Sequence, residues 1–204
     1  MVGGLGVVGF GIVDELSRRL DWSVTALSRR TSGFETSATY VSVDLLDRDD
    51  AEAKLSGLTE ISHIFYAAYQ ERPTFAEEVA PNLAMLRNVV EVVERVSPRL
   101  EHVSLMQGTK AYGTQFGPFK TPARETDPRH MPPNFYYDQD DFLRARSLRK
   151  GWSWSAMRPR TVYGYALTSP MNMTSVLGVY GAMSKELGLP LRFPGTLGSY
   201  AAIQ

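Results

Sequence analysis

The stretch that most constrains this chain is Met1–Leu20, where Gly3, Gly6 and Gly9 stand at G-x-x-G-x-x-G spacing within Gly3-Gly4-Leu5-Gly6-Val7-Val8-Gly9. An apolar residue precedes them. Behind them Val8, Ile12, Leu16 and Leu20 recur at four-residue steps, while Asp14, Glu15, Arg18 and Arg19 lie off that face, which is the period of an amphipathic helix. A strand end, a glycine turn and a helix in that order form the phosphate cradle of a dinucleotide-binding βαβ unit. Glycines let the chain turn tightly and let its backbone approach a pyrophosphate, and the helix N-terminus supplies N–H groups and a partial positive charge. Ordinary structural turns share the spacing; the flanks favour the cofactor loop. A first strand normally supplies about five or six residues, and only Met1-Val2 stand before Gly3. Most of that strand is expected to be missing.

The rest of the chain alternates. Strands are expected at Ser23–Leu27, Thr39–Val43, Ile61–Ala67, Val103–Leu105 and Trp152–Met157. Helices are expected at Arg48–Leu55 with Asp47 as cap, at Phe75–Val96, from Asn134 as cap to Lys150-Gly151, and at Ser175–Leu187, with a short strand beginning at Leu191–Phe193. The packed face of Phe75–Val96 is expected to carry Val79, Leu83, Leu86, Val89, Val90 and Val93. This alternation predicts an α/β chain with a doubly wound parallel sheet, the Rossmann fold, joined by right-handed crossovers. Thr114–Pro133 is a long loop rich in proline and glycine, a length that favours a functional role such as a substrate-lining lid.

Positions counted from the glycine loop carry chemistry. Ser28-Arg29-Arg30 follows the strand whose end faces an adenosine ribose. An acid there binds the 2′-hydroxyl of NAD, whereas arginines accept the 2′-phosphate of NADP, so this pair predicts NADPH; the alternative is a solvated pair at a loop start. Asp44-Leu45 ends the next strand, with Asp44 set either for the adenine amino group or for a turn. Ala67-Ala68-Tyr69 lies at the carboxyl end of a central strand, where open α/β sheets bind ligands. His63 interrupts that strand and reads as a packing residue.

With 204 residues the chain is long enough for one domain with a real core. It has no cysteine and therefore no disulfide framework. Its 22 basic residues equal its 22 acidic ones, leaving no positive excess to hold nucleic acid. No apolar run reaches the ~20 residues of a membrane span. The cytoplasm is the default compartment.

Further motifs carry a resemblance. Asn82, Asn88, Ala111-Tyr112-Gly113 and Arg158-Pro159, with the glycine loop, resemble the extended short-chain dehydrogenase/reductases. Those enzymes carry Tyr-x-x-x-Lys, but four residues beyond Tyr136 and Tyr137 stand Asp140 and Asp141. One atypical branch shares the departure, with its lysine in Gly-(Thr/Arg)-Lys and its tyrosine first in Asn-Phe-Tyr-Tyr. This chain has Gly108-Thr109-Lys110 and Asn134-Phe135-Tyr136-Tyr137, together with Ile64-Phe65-Tyr66, Gly117-Pro118-Phe119, Trp152-Ser153-Trp154-Ser155, Met171-Asn172 and Leu191-Arg192-Phe193. Over nearly its whole length it resembles the progesterone 5β-reductase/iridoid synthase-like enzymes, called PRISE.

The resemblance implies an NADPH-dependent oxidoreductase that transfers hydride to the activated C=C of a small-molecule enone or enal. Tyr136 would donate to the carbonyl oxygen, where charge builds. Lys110 would hold the cofactor ribose and bias the phenol toward a lower pKa. Cofactor contacts would come from Gly3, Gly6, Val7, Val8 and Gly9, from Ser28, Arg29, Arg30, Asp44 and Leu45, and from Ala68, Tyr69, Met106, Lys110 and Tyr136. Val162 would lie by the nicotinamide amide, and Ser169 and Met171 would border the phosphates or the substrate entrance. Phe135 and Tyr137 read as packing residues. Plant members carry Thr-Trp, Gln and His where this chain has Ala68-Tyr69, Met106 and Ala111, so the pocket is altered and no plant substrate transfers.

Residues 1–190 are expected to form the NADP-binding unit, and 191–204 to begin a substrate-binding region that relatives continue. The chain reads as a fragment or a shortened gene product, with its first strand and C-terminal substrate region largely missing. A homodimer is left open. Two rival functions stand beside the reductase. An NAD(P)-dependent epimerase or dehydratase is opposed by Arg29-Arg30 and the absent Tyr-x-x-x-Lys. A non-catalytic NADP-binding regulator is opposed by the presence of both Lys110 and Tyr136.

Overall fold

A computed structural model of the chain describes residues 1–32, 36–166 and 172–201. Helix α1 (Val7–Ser17) leaves the glycine turn, followed by β1 (Thr25–Ser28), β2 (Thr39–Ser42), α2 (Arg48–Leu55), β3 (His63–Tyr66), α3 (Phe75–Val96), β4 (His102–Met106), α4 (Phe135–Lys150), β5 (Ser153–Met157), α5 (Met173–Glu186) and α6 (Leu197–Ala201). All strand pairs are parallel. β1 lies beside β2 with Thr25 opposite Thr39, β3 beside β4 with His63 opposite His102, and β4 beside β5 with His102 opposite Ser153.

A single residue stitches the two groups of strands together. Val2, fully buried, bridges Leu27 on one side and Tyr66 on the other. Its N–H donates to Phe65 O at 2.8 Å, its carbonyl accepts from Ala67 N at 2.9 Å, and Gly3 N donates to Leu27 O at 3.0 Å. Val2 thus holds the central position between the two groups that a Rossmann sheet requires. At the amino ends of the strands, away from the ligand edge, the gap beside Met1 is a cavity of about 490 Å³ lined by Trp22, Val24, Thr25, Ile61, His63 and Phe65 among others.

The main core lies on the α3 face of β3 and β4, while His63, Phe65, His102 and Ser104 on the opposite face are half-buried. Ile64, Tyr66, Val103 and Leu105 pack with Leu27, Leu55, Leu143 and the α3 residues Leu86, Val89, Val90 and Val93. The same inner stripe of α3 carries polar groups. Asn82 donates to Gln70 O and accepts from Gln70 N, both at 2.8 Å, and Asn88 donates to Leu45 O at 2.8 Å. These two side chains fix the loops that follow β3 and β2. His63 packs its ring against Trp22 and Phe65.

Local capping explains several boundaries. The Asp47 side chain accepts from the N–H groups of Asp49 and Asp50, Thr74 from Glu77, and Asn134 from Tyr136. Helix α4 ends at Gly151 with φ +80°, a left-handed position suited to glycine.

Two expectations are corrected. The inward side of α1 is Gly9 and Val13; Val8, Ile12 and Leu16 are only half-buried and Leu20 is fully exposed. The helix approaches the turn through a glycine, so large apolar residues do not mark its contact line. Leu191–Phe193 is not a strand: it is exposed and irregular, because an apolar triplet becomes a strand only beside a sheet edge. Among the described residues no helix is long and apolar enough to cross a membrane, and no group of three or more acidic or histidine side chains could hold a metal ion.

Candidate active site

The glycines shape the floor of the site. Gly3 has φ +81°, and a Cβ there would sit 3.0 Å from the backbone of Ala67 and Ala68. A Cβ on Gly9 would lie 2.1 Å from Gly3 O, so α1 can seat against the turn only without a side chain at that position. Gly6 is the extended N-cap of α1 and contributes no side-chain cap. The first-turn amides of Val7 and Val8 are therefore without an intrahelical partner, at the helix end where a cleft opens.

That cleft, of about 540 Å³, runs along the carboxyl ends of the strands. It gathers Gly3 and Gly6, then Ser28, Arg29 and Arg30 after β1, Asp44 and Leu45 after β2, and Ala68 and Tyr69 after β3. Nine positions expected from the sequence to touch one cofactor thus border one space. Arg29 and Arg30 are exposed at its rim. Asp44 also serves its turn, its Oδ1 accepting from Leu46 N at 3.0 Å. Val162 lies on the exposed chain after β5. Two residues on, a Cβ at Gly164 would stand 3.0 Å from Val7 Cγ1, and Tyr165 meets Phe10 edge-on at 5.3 Å, so this segment crosses the start of α1. Ser169 and Met171 lie outside the described residues. Side-chain-free backbone at Gly3 and Gly6, unpartnered amides, two arginines and a cleft of this volume fit a bound dinucleotide.

Lys110 and Tyr136 do not line this cleft; the Lys110 ammonium lies over the ring of Tyr69, which does, and Tyr136 packs on Phe135, which stacks on the same Tyr69 ring. Lys110 sits in a 3₁₀ turn, Thr109–Tyr112, after β4. Tyr136 is in the first turn of α4. Two side chains clamp these segments together. Asn134 donates to Lys110 O at 2.9 Å, and the Tyr137 hydroxyl donates to Ala111 O while accepting from His130 N, both at 2.9 Å. At Gly108 a Cβ would press on the Tyr136 hydroxyl at 3.3 Å. Phe135 is buried, stacked on Tyr69 and edge-on to Tyr136. Met106 ends β4, half-buried and opposite Met157; it does not border the cleft.

What connects the lysine to the tyrosine is a residue the sequence reading passed over, Glu78 on α3. Its side chain is 5 % exposed, its Oε2 is 3.8 Å from Lys110 Nζ, and its Oε1 accepts from the Tyr69 hydroxyl. The Lys110 ammonium also lies over the rings of Phe75 at 5.1 Å and Tyr69 at 5.8 Å. The expected electrostatic bias is reversed. Burial, followed by the negative field of Glu78, pushes the Tyr136 phenol up to about 12. Burial and the bond to Glu78 push Tyr69 up as well. A signal for Glu78 was present in the chain: it stands four residues before Asn82 and eight before Leu86, on the inner stripe of α3.

A second group lies one turn beneath Tyr136. Asp140, where Tyr-x-x-x-Lys chains carry lysine, is buried and paired with Arg158 at 2.7 Å. Gln107 donates to Asp140 Oδ1 and to Tyr136 O, both at 2.9 Å, and accepts from Arg158 Nε at 3.0 Å. Burial raises the Asp140 pKa, and Arg158 and Gln107 pull against it. This network ties the ends of β4 and β5 to α4 and has a positioning role.

Comparison with known proteins agrees with this architecture. The chain is 37 % identical to the (S)-8-oxocitronellyl enol synthase ISY1 of Nepeta cataria, over 98 % of this chain and 55 % of that protein. It is 34 % identical to the 3-oxo-Delta(4,5)-steroid 5-beta-reductase of Arabidopsis thaliana, over 96 % of this chain and 54 % of that protein. The chain therefore spans about half the length of the curated relatives it matches. Among solved structures, the UDP-glucose 4-epimerase of Thermotoga maritima superposes with a TM-score of 0.72 at 18 % identity, over 95 % of this chain and 64 % of that one, a likeness of fold alone. Residues 31–204 match the PRISE-like Rossmann-fold domain family, and the chain belongs to that family.

Proposed function

We propose that the chain is the cofactor-binding part of an NADPH-dependent reductase acting on the activated C=C of an enone or enal. Residues 1–190 form the NADP-binding unit in this reading, and 191–204 begin the region that meets substrate. One observation carries it. The segments that carry the Lys110 ammonium and the Tyr136 phenol, far apart in sequence, are tied together beside Tyr69, which lines the glycine-floored cleft, while the position one turn beyond the phenol is an aspartate in a structural ion pair. The steroid relative's name, a 3-oxo-Delta(4,5) 5-beta-reductase, describes reduction of a C=C conjugated to a ketone.

Within this reading Arg29 and Arg30 bind the 2′-phosphate, the α1 N-terminus and Gly6 receive the pyrophosphate, and Lys110 holds the nicotinamide ribose. When bound, the cofactor supplies hydride to the substrate β-carbon. Tyr136 stays protonated and donates to the carbonyl oxygen as charge builds there. A pKa near 12 suits that donor role at neutral pH.

The test mixes the protein with NADPH and 2-cyclohexen-1-one and follows the absorbance of the reduced nicotinamide. Tyr136→Phe is expected to lower the rate roughly 10²–10³-fold, the usual loss of one oxyanion donor. No oxidation above the Tyr136→Phe background removes the reductase reading.

A further inference from the structure

Glu78 is a buried carboxylate on a helix whose dipole does not need it there. Its neighbour Glu77 occupies the same first turn of α3 in the exposed position that complements the dipole. Glu78 turns inward instead, 4 % exposed, where an ionised group is costly unless it is paired and hydrogen-bonded. Both partners belong to the catalytic corner: the Tyr69 hydroxyl donates to Oε1, and the Lys110 ammonium stands 3.8 Å from Oε2. The ammonium also lies over the Phe75 and Tyr69 rings, with the Lys110 side chain 38 % exposed.

We propose that Glu78 is a positioning residue for the reaction, holding Lys110 and Tyr69 so that the lysine meets the cofactor ribose and Tyr136 keeps its proton. This rests on the reductase reading. The carboxylate balances the Lys110 ammonium at 3.8 Å, and its negative field reaches the Tyr136 phenol. Without that balance the lysine would pull the phenol toward ionisation and would wander from the ribose. The charged and titratable groups around Tyr136 are Glu78 from α3, Tyr69 from the segment after β3 with Glu71 beside it, Lys110 from the turn after β4, and the Asp140–Arg158 pair beneath.

The experiment compares wild type, Glu78→Gln, Lys110→Met and the double variant. Glutamine keeps a bond to the Tyr69 hydroxyl and removes the charge. Each single variant is expected to weaken NADPH binding, read by cofactor fluorescence, about tenfold, and the double variant no further, because residues acting as a unit are non-additive. In the reduction of 2-cyclohexen-1-one, the alkaline limb of the Glu78→Gln kcat profile is expected to move down by about one pH unit, tenfold more phenolate at fixed pH. Losses that multiply to about a hundredfold in the double variant, or an alkaline limb that does not move, overturn the proposal. A wild type that binds NADPH but reduces no enone removes the reductase reading alone, and the binding cycle still decides Glu78; a wild type that binds no NADPH overturns both. If Glu78→Gln does not fold, Glu78→Asp, which withdraws the carboxylate by one methylene, is read by the same cycle.

Discussion

Replacing Asp140 by alanine is expected to destabilise the protein by about 3–5 kcal/mol, the usual cost of breaking a buried ion pair. Its partner Arg158 is only 19 % exposed in its side chain and would be left without its 2.7 Å carboxylate. Gln107 would lose one of the two acceptors of its amide, keeping Tyr136 O. A domain of this size shifts by roughly 2–4 °C per kcal/mol, so the melting temperature should fall by about 6–20 °C. The double variant Asp140→Leu/Arg158→Met should regain most of the loss. The pair is not itself a large source of stability: burial raises the Asp140 pKa despite the guanidinium beside it, and apolar replacement of buried pairs is often neutral. Urea unfolding at neutral pH, followed by circular dichroism, compares the wild type with both variants. A single-variant loss under about 1 kcal/mol, within the range of exposed pairs, would refute the reasoning, as would a double variant less stable than Asp140→Ala.

Two further outcomes are expected. Gly9→Ala should cost roughly 1–3 kcal/mol or more by overpacking, since its methyl would meet Gly3 O at 2.1 Å; an unchanged melting temperature would show that α1 can shift away. Arg29→Ala with Arg30→Ala should weaken NADPH binding by roughly ten- to a hundredfold, the worth of charged hydrogen bonds at about 1.5–3 kcal/mol, and leave NADH nearly unaffected; equal losses would remove the 2′-phosphate argument.

Local signals in the sequence were sufficient for most elements. Asp47, Thr74 and Asn134 cap helices whose residues follow them directly, and Gly151 ends α4. The arginines after β1 and the small residues after β3 could be placed by counting from Gly3–Gly9, since a βαβ unit fixes which strand ends face one cleft. What could not be read depends on convergence in space. Gln107, Asp140 and Arg158 come from three segments, and no spacing announces that they meet. Glu78 stands in the first turn of α3 beside Glu77, and only the packing of α3 turns it inward. The inner side of α1 was misread because glycine leaves no mark in a search for large apolar residues. Leu191–Phe193 has strand composition, but composition does not supply a neighbour.

Asn134 has one further consequence. Its carbonyl oxygen receives the N–H of Tyr136 and its amide nitrogen grips the Lys110 carbonyl, so a lone side chain couples helix initiation to the spacing of the segments that carry Tyr136 and Lys110. An aspartate there would still start the helix but could not hold the lysine's backbone. Chains built this way can keep a phenol and an ammonium from separate segments in registration, provided one carboxamide is retained between them.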